Sequence, residues 1–290
     1  LKNKNEAKLK QKIAMRYFRF VPLVLTASLV AYLLLALELC PLEKFYDITG
    51  NTWGLAMIEN EFTFGEALEI GLFRCFFERT HLVSPFWCMF YIFLGSMLSF
   101  VMMLLYTKID NKIFFFGSAI VLFYFVDQNY LAFIIGLIAG IIANKEYSLS
   151  KWKGALLVAV GCVLGLFPPV LLPSFIDIVT LYALGAGFVI VGIHCCFSNN
   201  RLLCNKFAEF LGKESLALIV WQFLIMQSLN IFLYNSFHSA GMSNPMNIAI
   251  NFGINAALSL FLTWVSSKTI TPLTNYLCRQ MSALLWRKSK

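Results

Sequence analysis

The sequence predicts an all-α fold, a polytopic transmembrane helical bundle of about eight membrane helices, and three observations carry that prediction. Hydrophobic residues make up 59% of the 290 and charged residues only 13%, too little polar surface to wrap a soluble globule of this size. Apolar stretches near the roughly 20 residues needed to cross a ~30 Å hydrocarbon layer recur along the chain. Finally, with eight crossings, all but Lys44, Arg74 and Arg79 of the 23 Lys and Arg residues fall on one side.

The elements follow in order. Full-length spans read at about 20–39, 85–106, 152–172, 174–197, 215–235 and 246–268, with two shorter ones near 113–126 and 130–143. Only Asp127, Gln128 and Asn129 separate the short pair, so a single long helix is the competing reading. Charge settles between them. Fusing the pair would carry every basic residue from Lys145 onward across the membrane and abolish the asymmetry that orients membrane proteins. Both termini are therefore expected in the cytoplasm of a multi-pass protein of the plasma membrane. The chain reads as one membrane-embedded domain over 1–290, with one soluble excursion over 40–84. Inside that external loop, Thr63-Phe-Gly-Glu66 has the form of a capping box opening an amphipathic helix through about Glu78. Leu68, Leu72 and Phe76 would form its apolar face, and it is expected to lie along the outer interface.

Charge and cysteine usage exclude other classes. The net charge of +8 is what basic residues flanking membrane helices produce, with the lipid bilayer as partner and no nucleic acid needed. The eight cysteines sit in or beside apolar helices without a C-x-x-C pair, so no metal site is expected. Cys40 and Cys75 are the pair that a disulfide across the external loop would use.

Four local patterns, in order over some 200 residues, resemble the acyltransferase-3 family of integral membrane acyltransferases. They are Arg16-x-x-Arg19-x-x-Pro22; the run from Thr63-Phe-Gly-Glu66 through Ser84-Pro-Phe-Trp87-Cys-Met89 to Gly95-Ser96; Tyr130 to Gly136; and Phe207-Ala-Glu-Phe-Leu-Gly-Lys-Glu-Ser215 leading into Trp221-Gln222. The resemblance implies transfer of an acyl group, most often acetyl, from cytoplasmic acyl-coenzyme A to a hydroxyl of a cell-surface glycan or lipid-linked sugar. It also implies a fold of about ten helices in which the arginine pair opens the third. The first two, including one that carries a catalytic His, would then be missing here, leaving the catalytic residue unassigned. His81, His194 and His238 do not take that position. The chain departs from the family pattern at Cys88, Ile92 and Gln222.

The residues this reading singles out are few. Arg16 and Arg19, three apart on one helix face, are candidates for the phosphates of the acyl-coenzyme A donor, and equally for anchoring at the inner interface. Trp87, Ser96 and Asp127 are candidates for contacting the acceptor; an interfacial Trp, a helix-packing Ser and an exposed turn are the plain alternatives. Phe223, Gln227, Asn230 and Tyr234 share helical spacing and predict a partly polar face directed into the bundle or lining a cavity. Two other functions stay open: a non-catalytic membrane interaction protein derived from this family, and a transporter or flippase of a lipid-linked sugar.

Overall fold

A computed structural model of the chain describes residues 9–50, 62–80, 82–83, 85–144, 150–172, 177–197 and 204–285. The basic residues before Leu9, and His81, Ser84, Lys145 and Arg201, lie outside them. Among the described residues there are helices and turns and no strand. The helices are α1 (Arg16–Ala36), α2 (Leu42–Thr49), α3 (Phe64–Glu69, continued by a π turn over Ile70–Arg74 into Cys75–Phe77), α4 (Phe86–Tyr106), α5 (Lys112–Val126), α6 (Leu131–Asn144), α7 (Lys151–Gly165), α8 (Ile178–Phe197), α9 (Lys206–Lys213), α10 (Ser215–Ile225), α11 (Ile231–Ser239), α12 (Asn244–Lys268) and α13 (Ile270–Leu285). A π turn over Met226–Asn230 joins α10 to α11 without a break.

Among the described residues, five helical stretches are long and apolar enough to cross a membrane: Leu9–Ala36, Phe86–Tyr106, Ile178–Cys196, Ser215–Ser239 and Asn244–Leu285. The chain is an integral membrane protein. Length singles out five helices rather than eight, because α5, α6 and α7 have 15, 14 and 15 residues and reach only about 22 Å each. The span expected over 152–172 stops at Gly165, and Pro168 and Pro169, which lack an amide hydrogen and disfavour α geometry before them, give a short 3₁₀ turn instead.

Where hydropathy reads one domain, the chain packs as two compact units, one from Gly95–Phe210 and the other mainly from Lys10–Leu94 with Leu211–Lys290. In the first, glycines bring α7 and α8 into backbone contact. Gly154 meets Gly192 and Gly161 meets Gly185, so the helices run antiparallel with glycines seven residues apart on each. A methyl group added at Gly161 would lie 2.6 Å from the Gly185 carbonyl oxygen, and one at Gly192 would lie 2.8 Å from that of Gly154. In lipid, apolar side chains gain little by leaving their surroundings, so this close approach is what joins the two helices. Gly95 likewise leaves room for the Phe133 ring.

In the second unit, α3 starts as its sequence predicts. The Thr63 hydroxyl accepts from the Glu66 amide at 3.2 Å while the Glu66 carboxylate accepts from the Thr63 amide at 2.8 Å. Those bonds from Thr63, the backbone amide foremost, hold the Glu66 carboxyl below its ordinary range. Its buried face overlaps the expected one only in part. Phe76 is buried as expected, together with Ala67, Ile70, Gly71 and Cys75, whereas Leu68 and Leu72 are only half-buried. Small residues enter the contact because α3 runs lengthwise and antiparallel along α1. The Phe64 ring meets Tyr32, the Ser28 hydroxyl donates to the Ala67 carbonyl at 2.6 Å, Gly71 touches Leu25 and the Tyr17 hydroxyl donates to the Leu72 carbonyl at 2.6 Å. It thus lies beside α1. Cys40 and Cys75 are both thiols, pushed up by burial to about 11 and about 12.

Two outcomes are expected. Gly161→Leu should overpack the α7–α8 contact and cost about 1–3 kcal/mol, seen as a lower melting temperature in detergent, while Gly165→Ala, with open space around it, leaves melting unchanged. Because the Glu66 carboxyl is held low in the folded chain, its capping contribution is complete above the usual carboxylate range and disappears as pH falls below it. The protection of the amides at the start of α3 against exchange should fall in acid, and Glu66→Gln, which cannot titrate, should remove that pH dependence.

Candidate functional site

Two concavities lie in the second unit, at different levels of the helix pair formed by α10–α11 and α12. The first is a cavity of about 390 Å³ whose walls include Arg16 and Arg19 from α1, Lys213 and Ser215 from the α9–α10 junction, and Thr274 and Asn275 from α13. The local sequence explains the junction. Helix α9 ends at Lys213, Glu214 leaves helical geometry with φ −105° and ψ 15°, and a new helix opens at Ser215 without a side-chain cap. Ser215, Leu216 and Ala217, the first residues of a continuous 25-residue helix whose first-turn amides lack intrahelical acceptors, line the cavity.

The electrostatics favour an anion. Three cations border the cavity against one carboxylate, Glu214, which accepts from the Thr271 hydroxyl at 3.1 and 3.3 Å. The half-buried Arg16 places its guanidinium 4.7 Å from the centre of the Phe20 ring, and Arg19 is exposed. Ser266 of α12 belongs to the inner wall and accepts from the Trp221 indole N–H at 2.6 Å. The cavity thus joins the arginine pair to the 207–215 pattern, two segments nearly 200 residues apart in sequence.

The second concavity, of about 450 Å³, opens between α10–α11 and α12 beside Phe45 of α2. Gln222, Met226, Asn230 and Tyr234 line it from one helix, in place of the Phe223, Gln227, Asn230 and Tyr234 face that α-helical spacing predicts. The π turn accommodates an extra residue, so positions four apart stay aligned, and Gln227 turns away to become fully buried. Facing them, α12 carries Asn247, Asn251, Asn255, Ser259, Thr263 and Ser266, every one buried, while Ile248, Phe252, Phe261 and Trp264 on its other faces are exposed. The polar file is stitched by hydrogen bonds. Asn247 donates to the Tyr234 carbonyl at 3.0 Å, Asn255 to the Gln222 carbonyl at 3.2 Å and Ser259 to the Asn255 side chain at 3.1 Å.

The other expected residues lie apart from both cavities. Trp87 is exposed on the first turn of α4, its ring edge-on to Tyr91. Ser96 is buried nine positions further on, which puts it on the opposite side of the same helix. Asp127 accepts from the Asn129 backbone and side-chain nitrogens at 3.0 and 2.8 Å in the turn between α5 and α6. Among the described residues no three His, Cys, Asp or Glu side chains gather as metal ligands. Sequence reasoning missed the α12 file, although its signal is plain in hindsight: polar residues recur every fourth position from Asn247 to Thr263.

No protein-family model, no curated protein and no solved structure matches the chain. The resemblance to membrane acyltransferases therefore rests on the four local patterns and their spacing.

Trp221→Phe should orphan the buried Ser266 hydroxyl and lower stability by about 1 kcal/mol, and adding Ser266→Ala should recover part of that loss because neither partner is then left unsatisfied. Thermal unfolding of the two single variants and the double variant in detergent measures it.

Proposed function

We propose that this chain is the membrane-embedded portion of an O-acyltransferase, and that the arginine cavity receives the phosphates of cytoplasmic acyl-coenzyme A. The observation that carries this reading is the convergence of Arg16, Arg19, Lys213 and the N-terminus of the 25-residue helix on one cavity. Planar guanidinium groups match phosphate oxygens in pairs, and a helix start offers amide donors to the same anion. In the reaction an acceptor hydroxyl attacks the thioester carbonyl, a C–O bond replaces the C–S bond, and the hydroxyl proton leaves with a base as the thiolate departs. These residues hold and orient the donor, and the base is left unassigned. The acceptor in this reading is a cell-surface glycan or lipid-linked sugar.

Charge parity supports the accompanying topology of eight crossings with both termini cytoplasmic in the plasma membrane: Lys213 and the basic α1 entry share one cavity, as residues on one membrane face must. One observation favours the second reading, a non-catalytic membrane interaction protein. Gln222 occupies the place where the family often has His, and a carboxamide takes no proton at neutral pH.

Arg16→Lys or Arg19→Lys keeps the charge and the membrane anchoring but loses paired phosphate contacts. Each should raise the KM for acyl-coenzyme A about tenfold at unchanged protein level in the membrane. Unchanged kinetics would remove the donor assignment. Mass spectrometry of surface glycans with and without the full-length gene separates the two readings: loss of acylation without the gene supports the enzyme, and equal acylation leaves the interaction protein.

A further inference from the structure

Glu214 is the one carboxylate among the residues that line the arginine cavity, and its side chain is not where its position in the helix would put it. It is the N-cap residue of α10, and a carboxylate at that end of a helix is drawn to the free first-turn amides. Here the side chain makes no capping bond. Both carboxylate oxygens instead accept from the hydroxyl of Thr271 on α13, 57 positions later in the chain, at 3.1 and 3.3 Å. Thr271, Thr274 and Asn275 follow at spacings of three and four, so one face of α13 supplies both this tether and part of the polar wall of the cavity.

The charge balance gives the tether its meaning. Arg16, Arg19 and Lys213 bring three positive charges to the border of the cavity and Glu214 one negative charge, so the carboxylate repels every anion that enters. Released from Thr271, it would also compete with that anion by taking the helix amides and the cations for itself. Donor and spent coenzyme A carry the same phosphates. A grip on that end therefore holds both alike, adds nothing to the acyl-transfer step and, if too strong, retains the product. We infer, on the strength of the donor assignment of this cavity, that Glu214 is an internal counter-anion that weakens the hold on coenzyme A enough for product and donor to exchange. Thr271 is the positioning residue that keeps the carboxylate from filling the site.

The test is coenzyme A binding to the full-length protein in lipid nanodiscs, measured by isothermal titration calorimetry. Glu214→Gln keeps an oxygen that accepts from Thr271 and removes the charge, and it should lower the Kd about tenfold. Thr271→Val keeps the charge but releases it, and should raise the Kd about threefold, whereas Thr271→Ser, which keeps the donor, should bind as the unaltered protein does. In the Glu214→Gln background Thr271→Val should change nothing further, because no charge remains to be held away. Equal or weaker binding by Glu214→Gln, or an effect of Thr271→Val that is the same in both backgrounds and so marks a packing role, would overturn the proposal. Absence of coenzyme A binding to the unaltered protein would remove the donor assignment together with it. Binding there without a gain from Glu214→Gln removes the counter-anion alone.

Discussion

Hydrocarbon accepts no hydrogen bonds, and the arrangement of α12 follows from that constraint. In water its polar residues would face out; here Asn247, Asn251, Asn255, Ser259, Thr263 and Ser266 are all buried while phenylalanine and tryptophan face the solvent, which is lipid. The inward file then determines its neighbours. It anchors α10–α11 through the carbonyls of Gln222 and Tyr234, and at its far end it fixes the Trp221 indole against Ser266, which is also a wall of the arginine cavity. One helix face therefore supports both concavities.

The unit built from Gly95–Phe210 solves the same problem by other means. Its helices carry few polar groups, and α7 and α8 adhere through glycines that let one backbone rest on the other. Shape replaces hydrogen bonding there.

Much of this was legible in the residues themselves. Helix positions followed from hydropathy, because 18 or more apolar residues in a row have few alternatives, and the Thr63–Glu66 cap followed from side chains whose reach is local. What escaped was geometry that depends on partners. The α3 face was expected at Leu68, Leu72 and Phe76; Phe76 is buried, but a helix lying along α1 also buries Ala67, Gly71 and Cys75 in place of Leu68 and Leu72, since that contact depends on how closely the backbones approach. The α10–α11 face shifted because a π turn leaves no mark in residue spacing. Arg16 and Arg19 were recognisable as a pair three apart, yet their meeting with Lys213 and the start of α10 depends on tertiary folding. Trp87, Ser96 and Asp127 were chosen from one-dimensional likeness, and the fold distributes them over separate surroundings.

The π turn at Met226–Asn230 has a further meaning for the helix that contains it. Below it, the start of α10 is committed to the arginine cavity; above it, α11 is committed to Phe45 and Pro41 at the opposite end. The extra residue works as a rotational joint, letting two half-helices satisfy partners whose directions a uniform screw could not serve together. Shortening that turn by one residue would swing the upper half by about 100° and withdraw Asn230 and Tyr234 from the wall they share with α12, so the azimuth of an entire helix end depends on a single irregular turn.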